Sequence, residues 1–263
     1  MTTLEFRSRL LDLWAYRDLV RNLVSKDVKV RYMGATLGFA WSLVNPLFMT
    51  LVYLFVFSFI FTPPLPHFPL YLVSGMIHWL FFSQTLAQSA DVLVANADLL
   101  KKVRFPRVLI TVSSVLTNLL LWLAALVILL LVLPLLGGHY SAALLLYPFY
   151  LSLLVLFNWG LCLLVSCFYV NFRDLKHLIE VALQVLFWAT PIVYSLDALP
   201  PTARDWLRLS PLSMFVTIFH RIFYDATVPS WRLTLGFAVW TWLAVVIGVL
   251  SFRHRVSHVI EEL

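Results

Sequence analysis

The chain has 263 residues, of which 62% are hydrophobic, 16% aromatic and only 12% charged, far below the roughly 25% charged residues of soluble domains. That composition excludes an ordinary water-soluble domain. The formal net charge of +6 sits beside apolar stretches, where anionic lipid headgroups account for it without nucleic acid. Fifteen of the 19 Lys and Arg fall within residues 1–34, 95–107, 169–177 and 252–263, the pattern of a polytopic membrane protein whose basic loops stay in the cytoplasm.

Residues 9–32 set Leu10, Leu13, Trp14, Leu23 and Val24 among Arg17, Asp18, Arg21, Lys26 and Lys29, the composition of a helix lying on a membrane surface. No cleavable leader is expected, because the first apolar run is a full span without a small-residue cleavage site. Crossing the hydrocarbon takes about 20 apolar residues, and six stretches qualify: 36–61, 70–94, 109–134, 142–168, 177–196 and 231–252. The fold class is therefore all-α, a single transmembrane domain over 1–263. An even number of spans returns both ends to one side. Both ends are basic, so both termini are expected in the cytoplasm and the protein in the inner membrane. The loops 62–69 and 135–141 carry no Lys or Arg, and Pro63, Pro64, Pro66, Pro134, Gly137 and Gly138 end the neighbouring helices there.

The second span carries Gln84, Gln88 and Asp91 at i, i+4 and i+7, and Ile77 and Phe81 extend the stripe outward. The fifth repeats the arrangement with Glu180, Gln184, Phe187, Pro191 and Tyr194. Intramembrane amides and carboxylates face a bundle interior or a wet cavity. Rings interleaved with amides offer stacking faces and hydrogen bonds to a carbohydrate, so the stripes are assigned to two walls of one lane, with Tyr53 of the first span beside them. Polar groups that merely bind helix to helix would leave the same pattern.

The segment Asn96 to Arg107 is too apolar for a random linker and too charged for a span, and a short amphipathic helix is expected in it. Leu99, Leu100, Val103 and Phe105 would enter a partner's groove while Lys101, Lys102 and Arg104 meet acidic groups. A headgroup-anchored loop with no partner reads equally well. Farther on, Leu212 to Asp225 is apolar but short, follows Pro200, Pro201 and Pro211, and carries His220 and Arg221. Burying that arginine in lipid is costly. Two short helices dipping into the outer leaflet, at 200–210 and 212–224, are expected in preference to a seventh crossing.

Enzyme signatures are missing. The eight glycines form no Gly-x-x-x-x-Gly-Lys-Ser/Thr phosphate loop, and no nucleophile motif stands out. Cys162 and Cys167 point apart on one helix and are packing residues, while His254 and His258 have no third ligand nearby. No metal and no cofactor is expected on this chain.

Several stretches in order resemble the permease subunits of type-two ABC exporters of O-antigen and related surface polysaccharides. They are Lys29-Val-Arg-Tyr32, Leu37-Gly-Phe-Ala-Trp41, Asn45-Pro46, Ser74-Gly75, Trp79, Phe81-Phe82-Ser83, Asn96, Lys101-Lys102 and Phe105-Pro-Arg107. The second half adds Phe172-Arg-Asp174, Thr190-Pro-Ile-Val-Tyr194, Leu199-Pro-Pro201, Pro211 and Arg221. The resemblance implies a pore between two copies of the permease, worked by two cytosolic ATPase subunits that bind the ATP and Mg. It further implies that residues 9–32 form a gating helix and that 96–107 forms a coupling helix. Asn96, Leu99, Leu100, Lys101, Lys102, Phe105 and Arg107, with Arg173 and Asp174 as a second contact, would then meet the ATPase.

The cargo implied is a lipid-linked polysaccharide, its diphosphate paired with Lys29, Arg31 or Lys101. Pro200, Pro201, Pro211 and Arg221 would belong to the outer gate. Ser210-Pro211 departs from the Asn-Pro of many relatives, although serine also caps helices well. Two other classes use the same intramembrane carboxylates: a membrane-embedded transferase or polymerase of lipid-linked sugars, and a proton-driven secondary transporter. O-antigen, teichoic acid and capsule exporters share these motifs, so the sugar is not legible.

Overall fold

The computed structural model describes residues 16–33, 44, 48–49, 51–53, 55–57, 65–103 and 105–262, with side chains described up to 255 except that of residue 32. Most of the expected first span, the start of the surface helix with Leu10, Leu13 and Trp14, Arg104 and the His258 side chain lie outside the described residues.

The described residues are helical, with no strand among them. In chain order the α-helices are α1 (Arg17–Tyr32), α2 (Phe68–Ser89), α3 (Val92–Ala95), α4 (Ala97–Lys102), α5 (Val108–Val132), α6 (Tyr147–Asn171), α7 (Leu175–Ala189), α8 (Pro201–Leu209), α9 (Pro211–Phe223) and α10 (Trp231–Glu262). Proline stands in the first turn of α2, α6, α8 and α9, where its missing N–H has no intrahelical partner to lose and its fixed φ suits the helix. Ser210 precedes α9, but its hydroxyl caps nothing there.

Among the described residues, four helices are long and apolar enough to cross a membrane: Phe68–Ser89, Val108–Val132, Ala142–Asn171 (which adds a 3₁₀ turn to α6) and Trp231–Arg255. Two expected boundaries are corrected. The second span, expected to 94, breaks after Ser89, and the fifth, expected over 177–196, is helical only over Leu175–Ala189. Thr190 precedes Pro191 and turns extended, with φ −103° and ψ 138°, as a pre-proline residue prefers. The 15 residues of α7 reach about 22 Å, short of the roughly 30 Å of hydrocarbon.

The most enclosed of the four long helices is α2. Along this helix from Tyr71 to Phe82 runs α9, antiparallel to it: Phe215 meets Phe82 with ring centroids 5.5 Å apart, Phe219 stacks on His78 at 3.6 Å, and Tyr224 meets Tyr71 at 5.3 Å. The contact is close enough that a Cβ on Gly75 would lie 2.5 Å from His220 Nε2. Tyr224 donates to the Pro66 carbonyl at 2.7 Å. The end of α8 is fixed by Trp240, whose indole N–H donates to the Leu209 carbonyl at 3.1 Å. Trp240 stands nine residues after Trp231, the first residue of α10, about 13 Å along that helix.

Helices α6 and α10 pack through small residues. A Cβ on Gly248 would lie 2.2 Å from the Gly160 carbonyl oxygen, and one on Gly160 would lie 2.5 Å from the Ala244 carbonyl carbon. Backbones meet this closely in membranes because lipid supplies no hydrophobic drive between helices and van der Waals contact must do so.

His78 is fully buried. Its Nδ1 lies 2.6 Å from the Ser74 carbonyl and its Nε2 lies 3.0 Å from the Tyr147 hydroxyl, so the Nδ1–H tautomer donates to Ser74 and Nε2 accepts from Tyr147. His78→Phe keeps the ring on Phe219 but strands the tyrosine hydroxyl, at a cost of about 1–3 kcal/mol. Thermal melting of the purified protein should fall for His78→Phe and recover for His78→Phe with Tyr147→Phe, because the pair is then removed together. A double variant melting below the single one would refute the assignment.

Candidate functional site

The stripe on α2 divides between core and surface. Phe81 is buried in the chain's own core against Trp122 of α5, with centroids 5.2 Å apart, while Trp122 donates to the Ile77 carbonyl at 2.9 Å. Gln84 is exposed, and Gln88 and Asp91 are half-buried. Gln84 and Gln88 share the least covered face of α2 with Val73, Leu80 and Ala87, all on one side at helical spacing, and Asp91 follows two residues past the helix end.

Helix α7 buries only Ile179, Leu183 and Phe187, one ridge at i, i+4 and i+8. Phe187 lies 5.4 Å from the Tyr53 ring and 5.9 Å from that of Trp79, so Tyr53 and Phe187 meet inside the chain. Glu180 and Gln184 are exposed beside that ridge, and the opposite side exposes Leu178, Val181, Val185 and Trp188. Past the helix, Tyr194 is half-buried and its hydroxyl donates to the Trp188 carbonyl at 3.1 Å. Tyr71 of α2 donates to the Tyr194 carbonyl at 2.9 Å and stays within 3.3 Å of the Pro191 carbonyl. At the other end of α7, Lys176 pairs with Asp91 at 2.6 Å. The two polar-striped helices are thus joined near both ends.

The second cluster of expected residues gathers around α3 and α4. Leu100 is buried among Val92, Leu93, Val108, Ile110, Leu163, Cys167 and Phe252, with Phe105 packed against them. Leu100 and Phe105 therefore face their own chain, contrary to the expectation that they insert into a partner. The apolar side chain left outward is Val103, 48% exposed, beside exposed Lys101 and Lys102. Leu99 and Arg107 are half-buried. Asn96 is buried, donates to the Val92 carbonyl at 2.9 Å and accepts from Lys26 at 2.7 Å. Arg173 and Asp174 are exposed in the turn between α6 and α7.

Of the three cations expected to meet a diphosphate, Lys101 is exposed on α4 and Lys29 is exposed beside Val30 and Met33. Arg31 is engaged: its guanidinium donates to the Asn118 side-chain oxygen at 3.0 Å and to that of Gln88. Gln88, expected in the lane, is in this way part of the seat of α1.

Around α8 and α9, Pro200 and Pro201 are exposed, Pro211 is half-buried, and Arg221 pairs with Asp225 at 3.3 Å. Burial raises the Asp225 carboxyl above the ordinary carboxylate range, and the Arg221 guanidinium partly offsets it. Arg204 donates to the Asp197 and Leu199 carbonyls at 3.0 and 3.1 Å, bracing the start of α8. Sequence reasoning missed Lys26 and Lys176 as partners of Asn96 and Asp91, and missed His78. A carboxylate and a lysine both assigned to span ends on the basic side were the available signal.

Residues 18–224 match the sequence pattern of the ABC-2 type transporter family. The chain is similar to the O-antigen export system permease protein RfbA of Myxococcus xanthus, 32% identical over 221 residues, 83% of this chain and 85% of the relative. It is also similar to the protein of that name from Klebsiella pneumoniae, at 28% over 212 residues, 80% of this chain and 82% of the relative. The polysialic acid transport protein KpsM of Escherichia coli is 22% identical over 243 residues, 90% of this chain and 93% of the relative.

Proposed function

The chain belongs to the ABC-2 type transporter family, and on that premise we propose that it is the membrane subunit of an ATP-driven exporter that moves a lipid-linked polysaccharide of O-antigen type across the inner membrane. The observation that carries this reading is the 32% identity to an O-antigen export permease over more than four-fifths of both chains. ATP and Mg belong on a separate cytosolic ATPase dimer. Two copies of this chain pair around the lane, and the apolar exposed side of α7 suits burial against lipid or the second copy.

Six spans are proposed, with both termini in the cytoplasm. Four are the long helices; the segment 36–61 and α7 with its extended continuation supply the other two. The paths of α8 and α9 support a re-entrant hairpin: α9 runs back along α2 towards Pro66, and α8 ends about 13 Å along α10. Lys101, Lys102, Val103, Arg173 and Asp174 face the ATPase, and Lys29 meets the diphosphate near the membrane surface. Gln84, Glu180 and Gln184, being exposed, face the sugar lane.

The deciding experiment is reconstitution of the purified permease with its cytosolic ATPase in vesicles charged with a lipid-linked polysaccharide. ATP should drive the polymer to the opposite face. Transport that follows a proton gradient and ignores ATP would replace the proposal with a secondary transporter, and new glycosidic bonds made without the ATPase would replace it with a transferase. In the same vesicles Gln84→Ala combined with Gln184→Ala is expected to slow polymer movement several-fold with normal ATPase association. Unchanged flux would return both amides to a structural role.

A further inference from the structure

We propose that Lys26 and Lys176 are positioning residues that fasten the α3–α4 element to α1 on one side and to α7 on the other, so that displacing this element carries the surface helix and the second polar-striped helix with it. This rests on the coupling role given above to α4.

The two lysines come from elements far apart in sequence and end on one six-residue stretch. Lys26 Nζ donates to Asn96 Oδ1 at 2.7 Å across 70 positions, and Lys176 Nζ meets Asp91 Oδ2 at 2.6 Å across 85. Asp91 and Asn96 flank the four residues of α3, so one strap holds each end of it. Both acceptors are set in advance. Asn96 is buried and spends an amide N–H on the Val92 carbonyl one turn back, which leaves its oxygen turned to Lys26. Asp91 sits at the bend where α2 ends, and both it and Lys176 are about two-thirds covered, with side chains 35% and 37% exposed.

Freely solvated pairs contribute little because water competes for both charges. Partial covering and a charged donor make the Lys176 strap stronger than that class. Between the straps Val92 and Leu93 pack into the cluster shared with Leu100 and Phe252, so α3 has no freedom to slip while its ends stay tied. Lysine suits such a strap because its four-carbon stem lets the ammonium follow an acceptor as helices tilt, which a rigid guanidinium fork does less well. Arg31, bound to Asn118 and Gln88, holds the far end of α1 to α5 and α2. A shift at Asn96 is then delivered to α1 at Lys26, against a fixed point five residues farther on at Arg31.

The test measures ATP hydrolysis and polymer export in the same vesicles, with permease and ATPase as the assembled complex. Lys26→Met and Lys176→Met keep the stem and delete the charge. Each is expected to hold ATPase association and basal hydrolysis within twofold of wild type while polymer exported per ATP falls at least fivefold. Asp91→Lys combined with Lys176→Asp is expected to restore the ratio to within twofold by re-forming the pair in reverse. Both methionine variants exporting at the wild-type ratio would overturn the proposal. So would hydrolysis and export falling in equal proportion, which marks a merely structural tie, or a reversed pair that assembles and hydrolyses normally without restoring the ratio. A wild-type complex that hydrolyses ATP and moves no polymer would instead overturn the exporter reading, and the straps with it.

Discussion

Gly160→Leu is expected to abolish recovery of folded protein from the membrane. The seam between α6 and α10 leaves no room at this position, since even a single Cβ would stand 2.5 Å from the Ala244 carbonyl carbon and 2.6 Å from the Val245 nitrogen. Those neighbours are backbone and cannot rotate aside. Overpacking by a few methylenes ordinarily costs about 1–3 kcal/mol because side chains rearrange; here two helices must separate along their contact, and the cost should exceed that range. Gly248→Leu should behave in the same way from the facing helix. Gly236→Ala is the control, because the atoms its Cβ meets are the flexible tip of Met214 at 3.0 Å and beyond. Monodisperse elution in detergent is the readout. A Gly160→Leu variant eluting and melting like wild type would mean that α6 and α10 do not cross at these glycines.

The second large effect separates two apolar residues three positions apart. Leu100→Asp places a carboxylate among Val92, Leu93, Val108, Ile110, Leu163 and Phe252. None of these apolar neighbours can pair with it, so the charge costs several kcal/mol or takes up a proton. The α3–α4 element should detach and the protein lose both thermal stability and export. Val103→Asp alters a side chain that is 48% exposed, so melting should stay within a few degrees of wild type while capture of the cytosolic ATPase falls at least tenfold. Pull-down of the ATPase alongside melting tests both. A Val103→Asp protein that retains full capture would remove this face from the coupling surface.

Hydropathy made the four long helices legible, because lipid requires an uninterrupted apolar length and nothing else in a sequence produces one. It also marked the two short segments 200–210 and 212–224 as different, through their prolines and Arg221. The end of α7 was harder. Pro191 read as one more position on a helical stripe, whereas its steric demand on Thr190 ends the helix two residues earlier.

Amphipathic spacing identified an apolar face on 96–107 without telling whose groove it fills, and Leu100 and Phe105 turn to their own chain. Phe81 fell on the polar stripe by periodicity yet packs on Trp122, since a stripe on a wheel is wider than the lane it borders. The ties from Lys26 and Lys176 join positions 70 and 85 residues apart, a separation over which local periodicity carries no information.

The laddered rings of α9 sit on the helix whose foot runs into α3, and no flexible joint intervenes between Tyr71 and Ser89. A stiff rod conveys load both ways. Work delivered at its foot is on hand at its head, and resistance met at the head is felt below. On the export reading proposed above, polymer held at the α9 end of this rod should therefore slow nucleotide turnover at its α3 end.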